Sequence, residues 1–588
     1  MYILGISCYY HDSAACLLKE GELIVAAQEE RFTGIKHDFS FPYNAIRFCL
    51  EYGHIEAKGP DFVLFHEKPF LKFERIIKTV FSTYPKSYKL FNEAAKNWLK
   101  DKLWIKATIQ DFLDISKDKI LFSEHHLSHA ASSFFCSPFK QAAILICDGV
   151  GEWATTTLGV GTADWRGTNK NEVKILGEIR FPHSLGLLYS VFTAFLGFKI
   201  NNGEYKVMGM SSFGEPKYTD KIYELVKVNP DGSFKLDLSY FSFHYSTTSS
   251  FNQKLITLFG KPRSPDTQFI LDKCDGNNTV TQEEIKENQR FADIAASIQQ
   301  VSEDILIKIA NYLYQKTKLD KLCLAGGVAL NCVANYKLLR KTSFNDIFIQ
   351  PNAGDGGGAL GAALYGWHGL FNKPRGFILN HSYWGKEYHP GQIKNFLQKQ
   401  GVDYEEFDED DLIDYVVKSL IDQKIVGWFH GRAEWGPRAL GHRSILADPR
   451  NGKMKERVNS SIKFREPFRP FAASVLYEHV DTLFASDGIK DQSPFRFMLY
   501  ALPLAKNLIP AAAHVDGTSR PQFVCQDNAR LFYKLINKFY QKTGVPAILN
   551  TSFNLKGRPI VNSPVEAYDT FNKSGMDILV MDKFLIRK

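Results

Sequence analysis

The chain alternates short apolar stretches with segments of helical periodicity. In the first half, apolar stretches of strand length end in turn residues at 2–7, 14–18, 23–28, 142–147, 155–159, 321–325 and 346–350. From Phe291 to Ile309, apolar residues recur at spacings of three and four, which predicts a core helix. Buried strands that lead into helices are typical of an α/β fold, and we predict that class.

The same α/β pattern returns in the second half, where a predicted helix at 411–423 leads into a strand at 424–429. At 588 residues the chain is too long for one core, and the turn-rich residues 372–388 form the expected boundary. We therefore predict two domains, 1–371 and 385–588.

Two long regions carry little catalytic signal. Residues 40–120 are predicted to be mostly helical and are rich in aromatic residues and lysine, whereas residues 228–282 are predicted to be irregular. No internal repeat is detected in the sequence. Both regions could shape a substrate site.

Composition narrows the class of protein. Hydrophobic residues make up 44% of the chain and charged residues 23%, as in soluble globular proteins, and no apolar run approaches the 18 residues of a membrane span. Nine scattered cysteines without a CxxC pair favour a reducing cytoplasm over disulfides or a thiolate zinc site. The net charge of +8 permits a nucleic-acid partner without requiring one, since anionic small molecules need the same surplus.

A metal site is predicted by two histidines and two aspartates. His125 and His129 are four residues apart at the start of a predicted helix, so both imidazoles lie on one face. Asp148 follows the apolar strand at 142–147 and opens a glycine turn, and Asp355 lies in a second glycine-rich turn. Two histidines that only cap or pack a helix are the alternative, but the neighbouring Asp148 favours a metal and phosphate site.

Glycine-rich turns after strands indicate a nucleotide site. Gly326 and Gly327 follow one predicted strand, residues 352–358 follow the next, and Gly149 follows Asp148. Such turns direct backbone N–H groups and helix N-termini at the carboxyl edge of a sheet, where nucleotides bind.

The second domain is dense in cations. Between Arg432 and Arg469 there are seven arginines and three lysines against four acidic residues, interleaved with Gly, Pro, Trp and Phe. A solvated face or a nucleic-acid stripe would have this charge as well. The apolar neighbours favour a partly buried anion pocket, with residues 514–520 and 550–554 as further walls.

Taken together, these motifs resemble the carbamoyltransferase family that includes the nodulation-factor, cephalosporin and tobramycin O-carbamoyltransferases. The resemblance covers almost the whole chain and rests on HDSAA (11–15), EERFTGIKHD (29–38), HHLSH (125–129), DGVGEW (148–153), GEYKVMG (203–209), GGVALN (326–331), DGGGALGAA (355–363), GRAEWGPRALGHRSILADPR (431–450), KFREPFRPFA (463–472) and NTSFN (550–554).

The resemblance implies a TsaD-like N-terminal domain with the actin-like ATPase fold, followed by a YrdC-like α/β C-terminal domain. ATP, with Mg²⁺, and carbamoyl phosphate then form carbamoyl-adenylate and pyrophosphate in the C-terminal domain. The carbamoyl group is transferred to a hydroxyl of a small-molecule acceptor in the N-terminal domain, beside a divalent metal that the family implies to be Fe²⁺. No membrane partner and no nucleic acid are expected, and the protein is expected to be a cytoplasmic monomer or homodimer.

The resemblance also implies a role for individual positions. The metal ligands are His125, His129, Asp148 and Asp355. The nucleotide contacts of the first domain are Asp12, Gly149, Gly151, Gly326, Gly327 and Asn331. His11 and Lys36 fall where the acceptor and the transferred carbamoyl group meet, with His11 as a candidate base. The pocket for carbamoyl phosphate and the adenylate consists of Arg438, Lys463, Arg469, Arg520, Ser552 and Asn554.

Two other functions stay open at this point. Threonylcarbamoyl transfer to tRNA uses the same two fold types, although the GPRALG and REPFRP blocks favour the small-molecule transferase. An actin-like nucleotide-binding regulator without transfer chemistry would explain residues 1–365 but not the arginine-rich second domain.

Overall fold

The computed structural model describes residues 1–165, 170–265, 267–271, 281–466, 468–486 and 491–588. The first sheet has five strands, β1 (Tyr2–Ser7), β2 (Ala14–Lys19), β3 (Glu22–Gln28), β4 (Phe62–Phe65) and β5 (Ile120–Phe122). Their order is β3-β2-β1-β4-β5; β1, β2 and β3 form an antiparallel meander, and β4 and β5 add in parallel.

The helices around this sheet are α1 (Glu30–Thr33), α2 (Tyr43–Tyr52), α3 (Pro69–Thr83), α4 (Tyr88–Lys100) and α5 (Ile105–Leu113). They confirm that residues 40–120 are mostly helical. The short strands β4 and β5 were not predicted there, because four and three residues are too few to show a period of two.

The next strands are β6 (Gln141–Cys147), β7 (Ala154–Thr162), β8 (Glu172–Arg180), β9 (Val226–Val228), β10 (Phe234–Leu236), β11 (Lys321–Ala325) and β12 (Asp346–Phe348). Five of them form a second sheet in the order β12-β11-β6-β7-β8, again a meander with two parallel additions, while β9 and β10 form a separate hairpin. Both five-stranded sheets therefore have one topology, which confirms the predicted actin-like ATPase fold. The repeat lies in topology and escaped detection in the sequence.

The helices that accompany these strands are α6 (His125–Phe134), α7 (Leu185–Phe195), α8 (Glu204–Met210), α9 (Thr219–Tyr223), α10 (Gln253–Phe259), α11 (Gln282–Thr317), α12 (Cys332–Lys341) and α13 (Gly358–Leu364). The predicted core helix is part of α11. The strand β10 and the helix α10 lie within residues 228–282, so that prediction of irregular structure was wrong in part, and residues 272–280 lie outside the described residues.

Helix α13 holds the two sheets together at very short range. A Cβ atom on Gly361 would lie 1.8 Å from the carbonyl oxygen of Ser128 on α6, and one on Gly5 of β1 would lie 2.0 Å from that of Ala359. Glycine is required at both positions because any side chain would displace backbone. Residues just before α13 and on α6 are thereby fixed next to each other.

The C-terminal half contains one mixed sheet of nine strands. The strands are β13 (Glu405–Glu406), β14 (Val426–Phe429), β15 (Arg443–Ala447), β16 (Ala472–Leu476), β17 (Leu502–Pro503), β18 (Thr518–Val524), β19 (Ala547–Ser552), β20 (Ile578–Met581) and β21 (Phe584–Arg587). The helices are α14 (Pro390–Lys399), α15 (Glu409–Ile421), α16 (Lys453–Val458), α17 (Val480–Leu483), α18 (Ser493–Arg496), α19 (Arg530–Thr543) and α20 (Pro564–Asn572). The strand order is β13-β21-β20-β14-β15-β19-β16-β18-β17, which confirms an α/β C-terminal domain.

The two halves pack closely against each other. Arg31 donates to the carbonyl of Gly436 at 2.7 Å, and the amide of Ala501 donates to the carbonyl of Cys332 at 3.1 Å. One cluster of buried apolar side chains contains residues from both halves. The relative placement of the halves is therefore set by a shared core.

Two further findings concern membrane-spanning helices and the state of the cysteines. Among the described residues, no helix is both long and apolar enough to cross a bilayer. The eight cysteines in the described ranges are all free thiols, and seven of them are buried.

We expect Gly361→Ala to lower the midpoint of thermal unfolding by roughly 2–5 °C, because the added methyl group overpacks the contact between α13 and α6. Gly391→Ala is the matched control, since nothing lies within 4 Å of the position of its Cβ atom. Equal midpoints for the two variants would show that the close approach at Gly361 is not needed.

Candidate active site

Four predicted metal ligands come together where the two sheets meet. Helix α6 starts at His125, whose amide donates to the carboxylate of Glu152 at 3.0 Å, and one turn later it presents His129. Asp148 follows β6, and Asp355 lies in the turn before α13. The close packing of α13 on α6 brings Asp355 to the two histidines.

The ligand atoms of these four residues all lie within 4.8 Å of one another. Nε2 of His125 is 3.1 Å from Nε2 of His129 and 3.3 Å from a carboxylate oxygen of Asp148. An oxygen of Asp355 is 3.5 Å from His129 and 3.6 Å from His125. Two imidazole nitrogens and two carboxylates that converge in this way form a ligand set for a divalent transition metal.

The electrostatics of the cluster favour a cation. Both carboxylate oxygens of Asp355 are buried without a hydrogen-bond partner among the described residues. Burial alone would raise the pKa of Asp355, but the imidazole of His11 lowers it, so the carboxylate is charged. Burial would lower the pKa of His125, but Asp355 and Asp148 raise it to about 9. A divalent cation would bind the unpartnered oxygens of Asp355 and compensate the buried carboxylate charges of Asp148 and Asp355.

The predicted glycine contacts surround Asp148. The amide of Gly327 donates to its carboxylate at 2.8 Å, and a Cβ atom on Gly326 (φ 92°) would lie 2.3 Å from the carbonyl of Cys147. Gly151 packs on the ring of His126, and Ser184 donates to the carbonyl of Gly149 at 2.7 Å. These turns therefore hold the predicted metal ligand Asp148, and the nucleotide contacts of their glycines stay predictions.

The side chain of Asn331 is engaged within the protein. Its carbonyl oxygen accepts a hydrogen bond from the amide of Ala334 at 3.1 Å and caps α12, while its amide donates to Gln299 at 3.0 Å. Its predicted contact with a nucleotide stays a prediction.

His11 and Asp12 form a pair at the edge of the metal-ligand cluster. Nδ1 of His11 is 2.9 Å from one oxygen of Asp12, and its Nε2 is 3.7 Å from Asp355. The other oxygen of Asp12 is 2.8 Å from Nδ1 of His37. Asp12 thereby orients two imidazoles, a role that the sequence did not predict, since it was assigned there to the nucleotide.

A second group of predicted residues meets at the end of β19. Lys463, at the end of a π-helical turn after α16, donates to the backbone carbonyl of Ser552 and to the side-chain oxygen of Asn554 at 2.9 Å. The hydroxyl of Ser552 also donates to Asn554 at 2.7 Å. The structure thus brings these three predicted residues together.

Arginines crowd around this lysine. Burial and the charge of Arg520 lower the pKa of Arg438 to about 9. Burial and the nearby Arg465 and Arg469 hold the pKa of Lys463 well below its usual range. The Nε atoms of Arg438 and Arg520 have no hydrogen-bond partner in the described chain. Repulsion among buried cations marks a site that an anion would stabilise.

The two clusters adjoin across the interface between the halves. The ring of Tyr205 on α8 lies 5.8 Å from the ammonium of Lys36 and 4.7 Å from the guanidinium of Arg469. Lys36 precedes His37, which contacts Asp12. A continuous set of contacts therefore runs from the metal-ligand cluster to the cation cluster.

Several residues of this arrangement were not predicted. Arg465 belongs to the cation cluster, and Tyr205 and Cys332 contribute to it from the N-terminal half. The REPFRP block contained the signal for Arg465. The GEYKVMG block contained Tyr205, but its contacts and those of Cys332 could not be predicted, because their partners lie more than 100 residues away.

The comparisons with known proteins agree with this architecture. A family model described as Carbamoyltransferase N-terminus matches residues 2–364, and one described as Carbamoyltransferase C-terminus matches residues 417–588. The chain belongs to the carbamoyltransferase family. As a member of that family it is a transferase enzyme.

Two relatives illustrate the family. An uncharacterized protein of Synechocystis sp. is 42% identical over 100% of this chain and 97% of its own length. Nodulation protein NolNO of Sinorhizobium fredii is 35% identical over 99% of this chain and 79% of its own length. Among solved structures, the match to component A of the (R)-2-hydroxyglutaryl-CoA dehydratase of Acidaminococcus fermentans covers 62% of this chain and 97% of the other chain. The sequence identity is 14% and the TM-score is 0.30. The assignment of the fold therefore rests on the sheet topology.

We expect the carbamoyltransferase to bind one divalent cation per chain, and Asp355→Asn to weaken the binding by more than about 100-fold, because a buried ligand and its charge are lost. Titration calorimetry with Mn²⁺, Zn²⁺ and anaerobic Fe²⁺ measures the affinity. Asp346→Asn on β12 is the control and should bind like the wild type.

The same titration has a predicted pH dependence. The pKa of His125 is about 9 without a cation, so a metal must displace its proton below that pH. The affinity should rise with pH and level off above about pH 9. A flat profile would contradict the participation of His125.

Proposed function

We propose that the enzyme is an ATP-dependent O-carbamoyltransferase that forms carbamoyl-adenylate in its C-terminal half and transfers the carbamoyl group to a hydroxyl of a small molecule in its N-terminal half. The observation that carries this proposal is that a cluster of buried cations in the C-terminal half adjoins the metal-ligand cluster of the N-terminal half, with the ring of Tyr205 between Lys36 and Arg469. A regulator without transfer chemistry would not need the cation cluster.

The cation cluster suits the formation of the adenylate. Water first cleaves carbamoyl phosphate into carbamate and phosphate; an oxygen of the carbamate then attacks the α-phosphorus of ATP, so that carbamoyl-adenylate forms and pyrophosphate leaves. Both partners are anions, and fixed cations must offset their repulsion while they meet. Arg438, Arg469, Arg520 and Lys463 supply these charges, with Arg465 beside them, while Ser552 and Asn554 hold Lys463 in place.

The N-terminal cluster suits the transfer step. His125, His129, Asp148 and Asp355 would hold the divalent metal, which would supply Lewis-acid stabilisation of the developing oxyanion. Asp12 accepts the Nδ1 proton of His11, which leaves Nε2 of a neutral His11 free to take the proton of the acceptor hydroxyl. Lys36, whose ammonium lies 5.8 Å from the ring of Tyr205, is proposed to contact the transferred group.

The charge state of His11 depends on its carboxylate neighbours. Burial alone would lower its pKa, but Asp355 and Asp12 raise it to about 10. A cation held by Asp355 would weaken the effect of that carboxylate and lower the pKa of His11. His11 then serves as a base at physiological pH.

The remaining assignments follow from the same scheme. Gly149, Gly151, Gly326, Gly327, Asp12 and Asn331 are proposed to border a nucleotide in the N-terminal half. The free thiols fit a cytoplasmic location, and ATP is proposed to be used with Mg²⁺. The metal is proposed to be iron on family resemblance.

We expect the two half-reactions to separate by mutation. ATP–pyrophosphate exchange should require carbamoyl phosphate and fall by about 10²–10³-fold in Arg520→Ala, because a charge that offsets anionic repulsion is lost. Asp355→Asn should keep the exchange but lose transfer. Conversion of ATP to ADP without exchange would overturn the scheme and favour the actin-like ATPase.

We expect His11→Asn to lower transfer from pre-formed carbamoyl-adenylate by about 10²–10⁴-fold, with exchange unchanged, because the base is lost. Release of AMP with a pool of hydroxylated metabolites measures transfer. His54→Asn is the control, since His54 is exposed and its φ of 51° suits asparagine. Full transfer by His11→Asn would show that another group is the base.

A further inference from the structure

The helical hairpin of residues 68–106, here called the basic hairpin, is not used by the proposed chemistry. It contains α3, the link to α4, α4 and the turn after it. The segment contains ten lysines and arginines and three acidic residues, which gives it a net charge of +7. The whole chain has a net charge of +8. Nearly all of the excess positive charge is thus concentrated in one hairpin.

The basic hairpin also exposes large apolar side chains. The side chains that are 56–75% exposed are Phe70, Phe81, Tyr84, Tyr88, Leu99 and Trp104. Single exposed apolar residues are common, but six on one hairpin of 39 residues are a concentration that indicates an interaction surface.

On α4 the apolar and basic positions form parallel stripes. Tyr88 and Leu99 are eleven residues apart, so they lie on one helix face, whereas Trp98 is buried on another. The exposed lysines Lys89 and Lys96 occupy the neighbouring stripe, seven residues apart. Aromatic and leucine side chains flanked by lysine are typical of helices that lie in a membrane interface.

The lysines of this stripe are free to meet an external anion. Within the described residues, no carboxylate lies within 4.0 Å of the ammonium groups of Lys89, Lys96 or Lys100. Lys78, in contrast, pairs with Glu74 on α3, and Lys68 pairs with Glu124 at 2.8 Å. The unpaired charge is therefore on α4, next to the exposed apolar stripe.

We propose that the basic hairpin docks the enzyme on an anionic lipid surface. An apolar partner protein would not call for the unpaired lysines, and a nucleic acid would not call for the exposed Leu71 and Leu99, whereas an anionic bilayer takes both. No membrane partner was expected from the sequence, because no apolar run in it approaches the 18 residues of a membrane span. A peripheral contact with a lipid surface does not require such a run.

The docked face lies close to the proposed active site. Lys72 of α3 forms an ion pair with Glu67, and Arg75 donates to the carbonyl of Gly151 at 3.0 Å. The amide of Lys68 donates to Glu152 at 2.8 Å. The buried side of α3 thus contacts the metal-ligand region while its other side faces the lipid.

The test is co-sedimentation of the full chain with vesicles of phosphatidylcholine alone or mixed with phosphatidylglycerol. We expect binding only to the mixed vesicles, and it should weaken as salt shortens the screening length from about 10 Å at 0.1 M to about 3 Å at 1 M. Reversal of Lys89, Lys96 and Lys100 to glutamate should lower the partition coefficient by at least about tenfold. Phe81→Ser with Leu99→Ser should lower it as well.

The control reverses three exposed lysines elsewhere, Lys286, Lys308 and Lys506, with the same change in net charge. It should bind close to the wild-type level. Equal loss in both triple variants, or no binding of the wild type to mixed vesicles, would overturn the proposal. A wild-type dimer that Phe81→Ser with Leu99→Ser dissociates, without vesicle binding, would assign the face to a second copy. Vesicle binding does not depend on the proposed transfer reaction.

Discussion

The crowding of buried ionisable groups into two clusters is the constraint on which the site depends. Asp148 and Asp355 are buried, and their carboxylates raise the pKa of the buried His125 to about 9. The C-terminal half has the reverse problem, with Lys463 and several arginines buried together. Each cluster costs folding free energy that a cation or an anion would recover on binding.

The fold keeps these charged groups together because the helices and strands that carry the metal-ligand cluster pack at backbone distance. Gly361 and Gly5 let α13 approach α6 and β1 at backbone distance, and Gly326 lets the turn after β11 lie on β6. Ligands from separate strands and helices are thereby held in one geometry. A site made of flexible loops would let the carboxylates turn away from each other, and the preference for a cation would weaken.

Much of this could be predicted from the sequence. Apolar strands that end in glycine turns predicted that Asp148 and Asp355 meet at the carboxyl edges of parallel strands, and the spacing of His125 and His129 needed only helical geometry. The duplicated topology could not be predicted, because it depends on strand order. The contacts of Asp12 and Tyr205 escaped as well, since they depend on side-chain directions across distant segments.

The adjoining clusters also suggest an order of events. In the proposed scheme carbamoyl-adenylate is an anion and a reactive mixed anhydride, so a short path between the adjoining clusters would protect it, while the carboxylates of Asp148 and Asp355 would repel it. Asp148 and Asp355 would repel the intermediate less while they hold a cation, and the pKa of His11 beside them would then be lower. The charge at Asp355 would then control both the entry of the intermediate and the activation of the acceptor, while the cation cluster works independently of it. Binding of the metal is, on this view, a condition for transfer and not for adenylation.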